Sequence, residues 1–240
     1  MPSRGSVDYF GAGPAPLPTP VLERASQVLL NYNDTGIGLT ELSHRSPEAN
    51  AILSSTKQAL RTLLDIPSSD GPDGYEILFL QGGGSGEFSA SVYHMVGLWV
   101  EKRRQEIASA GADDDEVFGK LKEAVDNELR LDYLVTGSWS LKASQEAARL
   151  VGQSKVNVVS DARKATENGK FGVIPAESEW KLTSKKENSA MVYYCDNETV
   201  DGVEFPSFPS ALDGQGYQIV ADMSSTVSYT HLTLPTKRIV

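Results

Sequence analysis

Apolar residues in the first third of the chain recur at helical spacing, in two separate runs. After Thr19-Pro20, the positions Val21, Leu22, Ala25, Val28 and Leu29 form one face, and the threonine hydroxyl followed by proline predicts a capped helix start. The same device recurs at Ser46-Pro47-Glu48, opening a face of Ile52, Leu53, Thr56, Leu60, Leu63 and Leu64 that ends near Ile66-Pro67. A turn-rich stretch, 68–74, then precedes the apolar run Glu76 to Leu80, which predicts a buried strand. Gln81-Gly82-Gly83-Gly84-Ser85-Gly86-Glu87 leads directly into a predicted helix from Phe88 to Ile107 through Val92, Met95, Val96 and Trp99. A second strand, Tyr133 to Thr136, enters Gly137-Ser138-Trp139-Ser140 and a helix through Leu141, Ala147, Ala148, Leu150 and Val151. Further strands are predicted at Lys155 to Val159, Ala190 to Cys195 and Gln218 to Val220. This alternation predicts an α/β fold, a mostly parallel sheet with helices on both faces.

Charge and composition narrow the classes of partner. With 22 Lys and Arg against 32 Asp and Glu, the net charge of −10 argues against sequence-independent binding to nucleic acid or anionic lipid. No stretch reaches the roughly 18 to 20 apolar residues of a membrane helix, and Met-Pro-Ser-Arg-Gly lacks a signal-peptide core, so a cytoplasmic location is expected. One cysteine, Cys195, and three scattered histidines give neither an internal disulfide nor a metal-ligand set, and metal catalysis is not expected. Between Glu101 and Asp132 there are ten acidic and six basic residues, which reads as a solvated insertion, helical at both ends.

Several short segments are placed where chemistry gathers in such folds. A glycine-rich turn between strand and helix directs backbone N–H groups and the helix dipole at an anion, and Gly82 to Gly86 has that form. Without the lysine of a nucleotide P-loop or the dinucleotide spacing, it is locally as consistent with a tight turn. Arg45, in Ser43-His44-Arg45-Ser46, stands before a helix start and is either a bidentate anion ligand or a surface cation. Trp139 follows a strand, where an indole either stacks on a flat ligand or fills the core. Asp196-Asn197-Glu198-Thr199 and Asp222 also follow strands, at the carboxyl end of the sheet, as polar turns or as ligand contacts.

Six segments in order carry a resemblance: Phe10-Gly11-Ala12-Gly13-Pro14-Ala15, Glu41-Leu42-Ser43-His44-Arg45, Gln81 to Gly86, Gly137-Ser138-Trp139-Ser140, Asn197-Glu198-Thr199-Val200-Asp201-Gly202 and Ala221-Asp222-Met223-Ser224-Ser225. Together they resemble the phosphoserine aminotransferases, fold-type I, class V enzymes that use pyridoxal 5'-phosphate in serine biosynthesis. The resemblance covers residues 8 to 225 outside the charged stretch and implies the large, cofactor-binding domain of that fold, incomplete, over residues 1–226. It implies that Gly84 and Ser85 hold the cofactor phosphate, Trp139 stacks on the ring, Thr199 bonds its phenolic oxygen and Asp222 faces its nitrogen. Arg45, with His44 nearby, would grip a substrate carboxylate or phosphate. The implied reaction moves an amino group from L-glutamate to 3-phosphohydroxypyruvate, giving O-phospho-L-serine and 2-oxoglutarate, in a homodimer.

The chain also departs from that family. The family's Schiff-base lysine lies in an Ala-Gln-Lys-Asn context beyond the ring-nitrogen aspartate, and the only lysine here after Asp222 is Lys237, in a different context. The catalytic lysine is therefore unassigned. Val227 to Thr236 resemble a translated sequencing adapter, and residues 227–240 are read as a non-native tail. The chain as written is expected to be inactive and poorly soluble. Two alternatives stay open: a non-catalytic module that binds phosphate or pyridoxal phosphate, and another class V aminotransferase.

Overall fold

In the computed structural model, residues 3–9, 16–68 and 74–226 are described. The landmark Phe10 to Ala15, part of the 68–74 turn, and the tail with Lys237 lie outside them. The chain divides into two units, Met1–Ile77 and Leu78–Val240.

The first unit contains two α-helices, α1 (Thr19–Leu30) and α2 (Pro47–Leu64). α1 begins one residue earlier than a Thr19 cap requires: Pro18 is the N-cap, Thr19 is already helical, and no side chain caps the helix. In α2 the expected cap forms, with Ser46 Oγ accepting from the Ala49 N–H at 3.2 Å. That helix stops at Asp65, whose φ of 52° places it in the left-handed region, just before Pro67. Lys57 pairs with Glu76 at 2.8 Å, and Arg61 donates to the Tyr75 carbonyl at 2.6 Å, fastening the end of the unit to α2. Among its described residues only Gly38 is buried, and apolar positions such as Leu29, Leu30, Leu53 and Leu63 are exposed.

The second unit is built on four parallel strands: β1 (Arg130–Val135), β2 (Val156–Asp161), β3 (Ser189–Cys195) and a last strand, Ile219–Asp222. A two-residue antiparallel ladder joins β4 (Asn197–Glu198) to β5 (Val203–Glu204), so the last strand is β6, and the sheet order is β2-β1-β3-β6. Alternate residues face opposite ways. Leu131, Tyr133 and Val135 of β1 and Met191, Tyr193 and Cys195 of β3 pack with the helices α3 (Gly84–Ser109), α4 (Asp114–Asn127) and α5 (Ser138–Val151). Leu134, Val192, Tyr194 and Ile219 face the other way, under chain segments between 162 and 217 whose helical content is short 3₁₀ turns.

Four sequence expectations shift. The run Glu76 to Leu80 forms no strand: its backbone finds no ladder partner among the described residues, and Leu78, Phe79 and Leu80 are 68%, 49% and 68% exposed. Apolar composition supplies a reason to be buried, but a parallel strand also needs a neighbour to bond. α3 begins at Gly84, four residues before Phe88, so the glycine loop contributes its own first turn. β1 begins at Arg130 and takes Asp132 inside, where the carboxylate is fully buried. The charged stretch 101–132 is helical on both sides of its break, in α3 and α4, but it is not a solvated insertion: it ends in β1 and supplies Ala124, Leu129 and Leu131 to the core.

Candidate functional site

Because β1 lies between β2 and β3, successive connections leave the sheet in opposite directions from β1, and the carboxyl ends of β1 and β3 flank the point where α/β proteins bind ligands. A cavity of about 470 Å³ opens there. Its walls bring together Gly84 and Ser85 from the start of α3, Trp139 from α5, Thr199 beyond β4 and Asp222 at the end of β6. All five residues expected to touch a cofactor thus share one cavity. His44 and Arg45 belong to the first unit, where both are exposed and Arg45 Nε donates to His44 Nε2 at 3.3 Å. Arg45 enters no ion pair among the described residues.

Two helix N-termini reach this cavity, and they differ. At α5 the first N–H groups are already satisfied by carboxylates: Asp201 Oδ2 accepts from Ser138 at 2.6 Å, Glu198 Oε2 from Trp139 at 2.7 Å and Glu198 Oε1 from Ser140 at 2.8 Å. The positive end of that helix is neutralised. At α3 the N-cap is Gly83, at φ 131° in a region that favours glycine, and no side chain caps the helix. A Cβ placed on Gly84 would meet nothing within 4 Å. The glycine there leaves space above an uncapped helix start, which is what an anion such as a phosphate requires.

The remaining groups fit a flat, aromatic, hydrogen-bonding ligand. Trp139 is 43% exposed although the next residue, Ser140, is fully buried, so its indole is not core filling; Lys142 Nζ sits 4.5 Å from its ring centroid. Its Nε1–H donates to Thr199 Oγ1 at 3.2 Å. Asp222 accepts the Tyr193 hydroxyl at 2.9 Å through Oδ2, and the Ser224 N–H and Oγ at 3.0 and 2.6 Å through Oδ1. With about four lone-pair directions on a carboxylate, capacity for one further donor remains, such as a protonated ring nitrogen. An uncapped helix N-terminus, an exposed indole, a hydroxyl and a carboxylate are chemically complementary to the phosphate and ring of pyridoxal phosphate, and the cavity fits that group.

The chain beneath the cavity is held firmly. Asp196 N–H donates to the Asp222 carbonyl at 3.0 Å, Asn197 Nδ2 to the Ser225 carbonyl at 3.1 Å and Ser225 Oγ to the Asn197 carbonyl at 2.8 Å, knitting the ends of β3 and β6 together. Tyr193 and Cys195 line the floor; burial raises the pKa of both, with Asp222 adding to the effect on Tyr193 and Glu198 and Asp222 to that on Cys195. Both stay protonated at neutral pH. Sequence reasoning overlooked Tyr193, Lys142, Glu198 and Asp201. Lys142 was detectable, three residues after Trp139 on a predicted helix; Glu198 and Asp201 stood inside a quoted motif with no signal of what they cap.

Among the described residues there is no cluster of His, Cys, Asp and Glu suited to a metal ion, and no helix long and apolar enough to cross a membrane.

No protein-family model matches the chain. It is 41% identical over 225 residues to the phosphoserine aminotransferase of Saccharomyces cerevisiae, covering 93% of this chain and 49% of that enzyme. The Drosophila melanogaster phosphoserine aminotransferase is 38% identical over 219 residues, 91% of this chain and 47% of its own length. Among solved structures, a phosphoserine aminotransferase of Trichomonas vaginalis with pyridoxal phosphate bound is similar at a TM-score of 0.64 and 32% identity, over 91% of this chain and 48% of that one. The enzyme from Bacillus circulans subsp. alkalophilus gives 0.61 and 27%, over 88% and 46%. The chain spans about half the length of the relatives it matches.

Proposed function

We propose that this chain, which matches the N-terminal half of phosphoserine aminotransferases in sequence and fold, carries the pyridoxal-phosphate cradle of such an enzyme. The reaction it serves transfers the amino group of L-glutamate to 3-phosphohydroxypyruvate, yielding 2-oxoglutarate and O-phospho-L-serine, in cytoplasmic serine biosynthesis by a homodimer. The observation that supports this is the convergence of Gly84, Ser85, Trp139, Thr199 and Asp222 on one cavity.

When bound, pyridoxal phosphate supplies an electron sink for the pair left behind when an amino acid loses its α-proton. The residues here hold and tune that group. The start of α3, at Gly84 and Ser85, takes the phosphate through backbone N–H groups and the helix dipole. Trp139 covers one face of the ring and excludes water from it. Thr199 bonds the phenolic oxygen, while the Asp222 carboxylate keeps the ring nitrogen protonated, the state in which it withdraws electrons best. Arg45, with His44 beside it, binds a substrate carboxylate or phosphate through the guanidinium fork. Residues 1–226 constitute the cofactor-binding part of the enzyme, and the residue that carries the Schiff base is unassigned.

The test is a spectrophotometric titration of the purified chain with pyridoxal phosphate, repeated for Trp139→Ala and Asp222→Ala. Saturable binding that weakens at least about tenfold in each variant is expected from loss of a stacking face or a charge-assisted hydrogen bond. Equal affinity in all three proteins overturns the assignment.

A further inference from the structure

Consecutive residues on one side of the cavity hold both ends of the tryptophan on the other. Glu198 takes the backbone N–H of Trp139, and Thr199 takes its indole N–H. Glu198 is fully buried, and no Lys or Arg pairs with it among the described residues; its charge is balanced by N–H groups and the positive end of α5. The side-chain caps on the other α-helices are local: Ser46 accepts from the Ala49 N–H and Asp113 from the Glu116 N–H, each three residues on. A local cap satisfies a helix start without reference to anything else. The cap on α5 comes instead from 59 positions later, out of β4, so it fixes the distance between two walls of the cavity.

Resting on the reading of the cavity as a pyridoxal-phosphate cradle, we propose that Glu198 is a positioning residue that sets the plane of the Trp139 indole over the cofactor. The clamp at the Trp139 and Ser140 N–H groups fixes the Trp139 backbone, and hence the direction of its Cα–Cβ bond. The bond from Nε1 to Thr199 then fixes the remaining rotation. Asp201, on the Ser138 N–H, removes the last freedom of the helix start. Gly137 makes the approach possible, since a Cβ there would stand 2.4 Å from Glu198 Cδ. Glu198 does not itself line the cavity and acts only through Trp139.

The variant that tests this is Glu198→Gln, which keeps shape and volume. Its carboxamide turns an –NH₂ toward one of two backbone N–H groups, setting donor against donor. The three tryptophans, Trp99, Trp139 and Trp180, are replaced by 5-fluorotryptophan and followed by ¹⁹F NMR, with the Trp139 line identified from Trp139→Phe. In the variant the Trp139 line is expected to shift and broaden while the other two hold, and the dissociation constant for pyridoxal phosphate to rise about tenfold. Thr199→Val, which breaks only the indole bond, should move the same line alone. An unchanged Trp139 line in Glu198→Gln overturns the proposal, and so does equal disturbance of all three lines, which would make Glu198 a support of the fold at large. Failure of the unsubstituted chain to bind pyridoxal phosphate would instead overturn the reading of the cavity, while the Trp139 line still decides the tether.

Discussion

The hydroxyl of Tyr193 reaches across to the neighbouring parallel strand and donates to Asp222 Oδ2 at 2.9 Å. Its ring is held separately, edge-on to Phe88 at 5.7 Å and tilted against Tyr133 at 5.2 Å. Tyr193→Phe therefore removes a bond to a carboxylate and leaves the packing in place. A loss of about 1 to 2 kcal/mol in urea unfolding is expected. No change in the unfolding midpoint would show that the bond contributes nothing net.

Two glycines beside the cavity should respond in opposite ways to alanine. At Gly137 the backbone is extended and unstrained, so the penalty comes wholly from the collision with the buried Glu198 side chain, and Gly137→Ala should cost about 1 to 3 kcal/mol. At Gly84 the added methyl meets open space inside a helix, where alanine is favoured by up to roughly 1 kcal/mol. Gly84→Ala is expected to melt no lower than the parent yet bind pyridoxal phosphate more weakly, because the methyl intrudes where the phosphate would lie. Thermal melts and a cofactor titration on the same two proteins separate the effects.

Asp132 is a second test of buried charge. It is inaccessible to solvent and accepts hydrogen bonds from Asn157 Nδ2, from the N–H and Oγ1 of Thr183 and from Ser189 Oγ, joining β1, β2, β3 and the segment at 183. Asp132→Ala strands several donors at once, and a loss of about 3 kcal/mol or more in chemical unfolding is expected. A loss under about 1 kcal/mol would mean that water or a rearranged partner takes over.

Cys195, the sole cysteine, should be unreactive in the native chain. Burial, then the nearby Glu198 and Asp222 carboxylates, hold its thiol protonated beyond the usual range. At about pH 8.5, where an ordinary thiol is half ionised, alkylation by iodoacetamide should be slow until the chain is unfolded. The sign of the linked stability follows: with the folded value raised, this contribution is complete below about pH 8.5 and declines as the pH rises above it. Cys195→Ala should flatten that decline, and rapid labelling of the folded chain would contradict the assignment.

The parts of this fold visible in the sequence are those where local pattern and tertiary demand coincide. β1 and β3 are buried on both faces and so appear as apolar runs, although the start of β1 is hidden because Arg130 and Asp132 look like solvent residues. Asp132 becomes a strand residue only through donors supplied from other elements. The run Glu76 to Leu80 misleads for the converse reason, since its apolar pattern has no ladder partner among the described residues. The five residues expected around a cofactor reach a common cavity because Gly84 and Ser85 open α3 while Trp139, Thr199 and Asp222 stand at or just beyond strand ends, positions readable from sequence. The tether of Trp139 by Glu198 was not readable, as a carboxylate 59 residues away carries no local mark of the helix it caps.

The cavity draws its walls from Gly84 through Ser225, nearly the whole span of the second unit's described residues. A ribosome releases that span in order, at about 5 to 20 residues per second, so α3 and α5 emerge several seconds before the residues that complete the pocket. Until Glu198 and Asp201 follow, α5 has a helix start without its remote caps. Among the described residues of this unit, the site is thus one of the last features to be completed during synthesis.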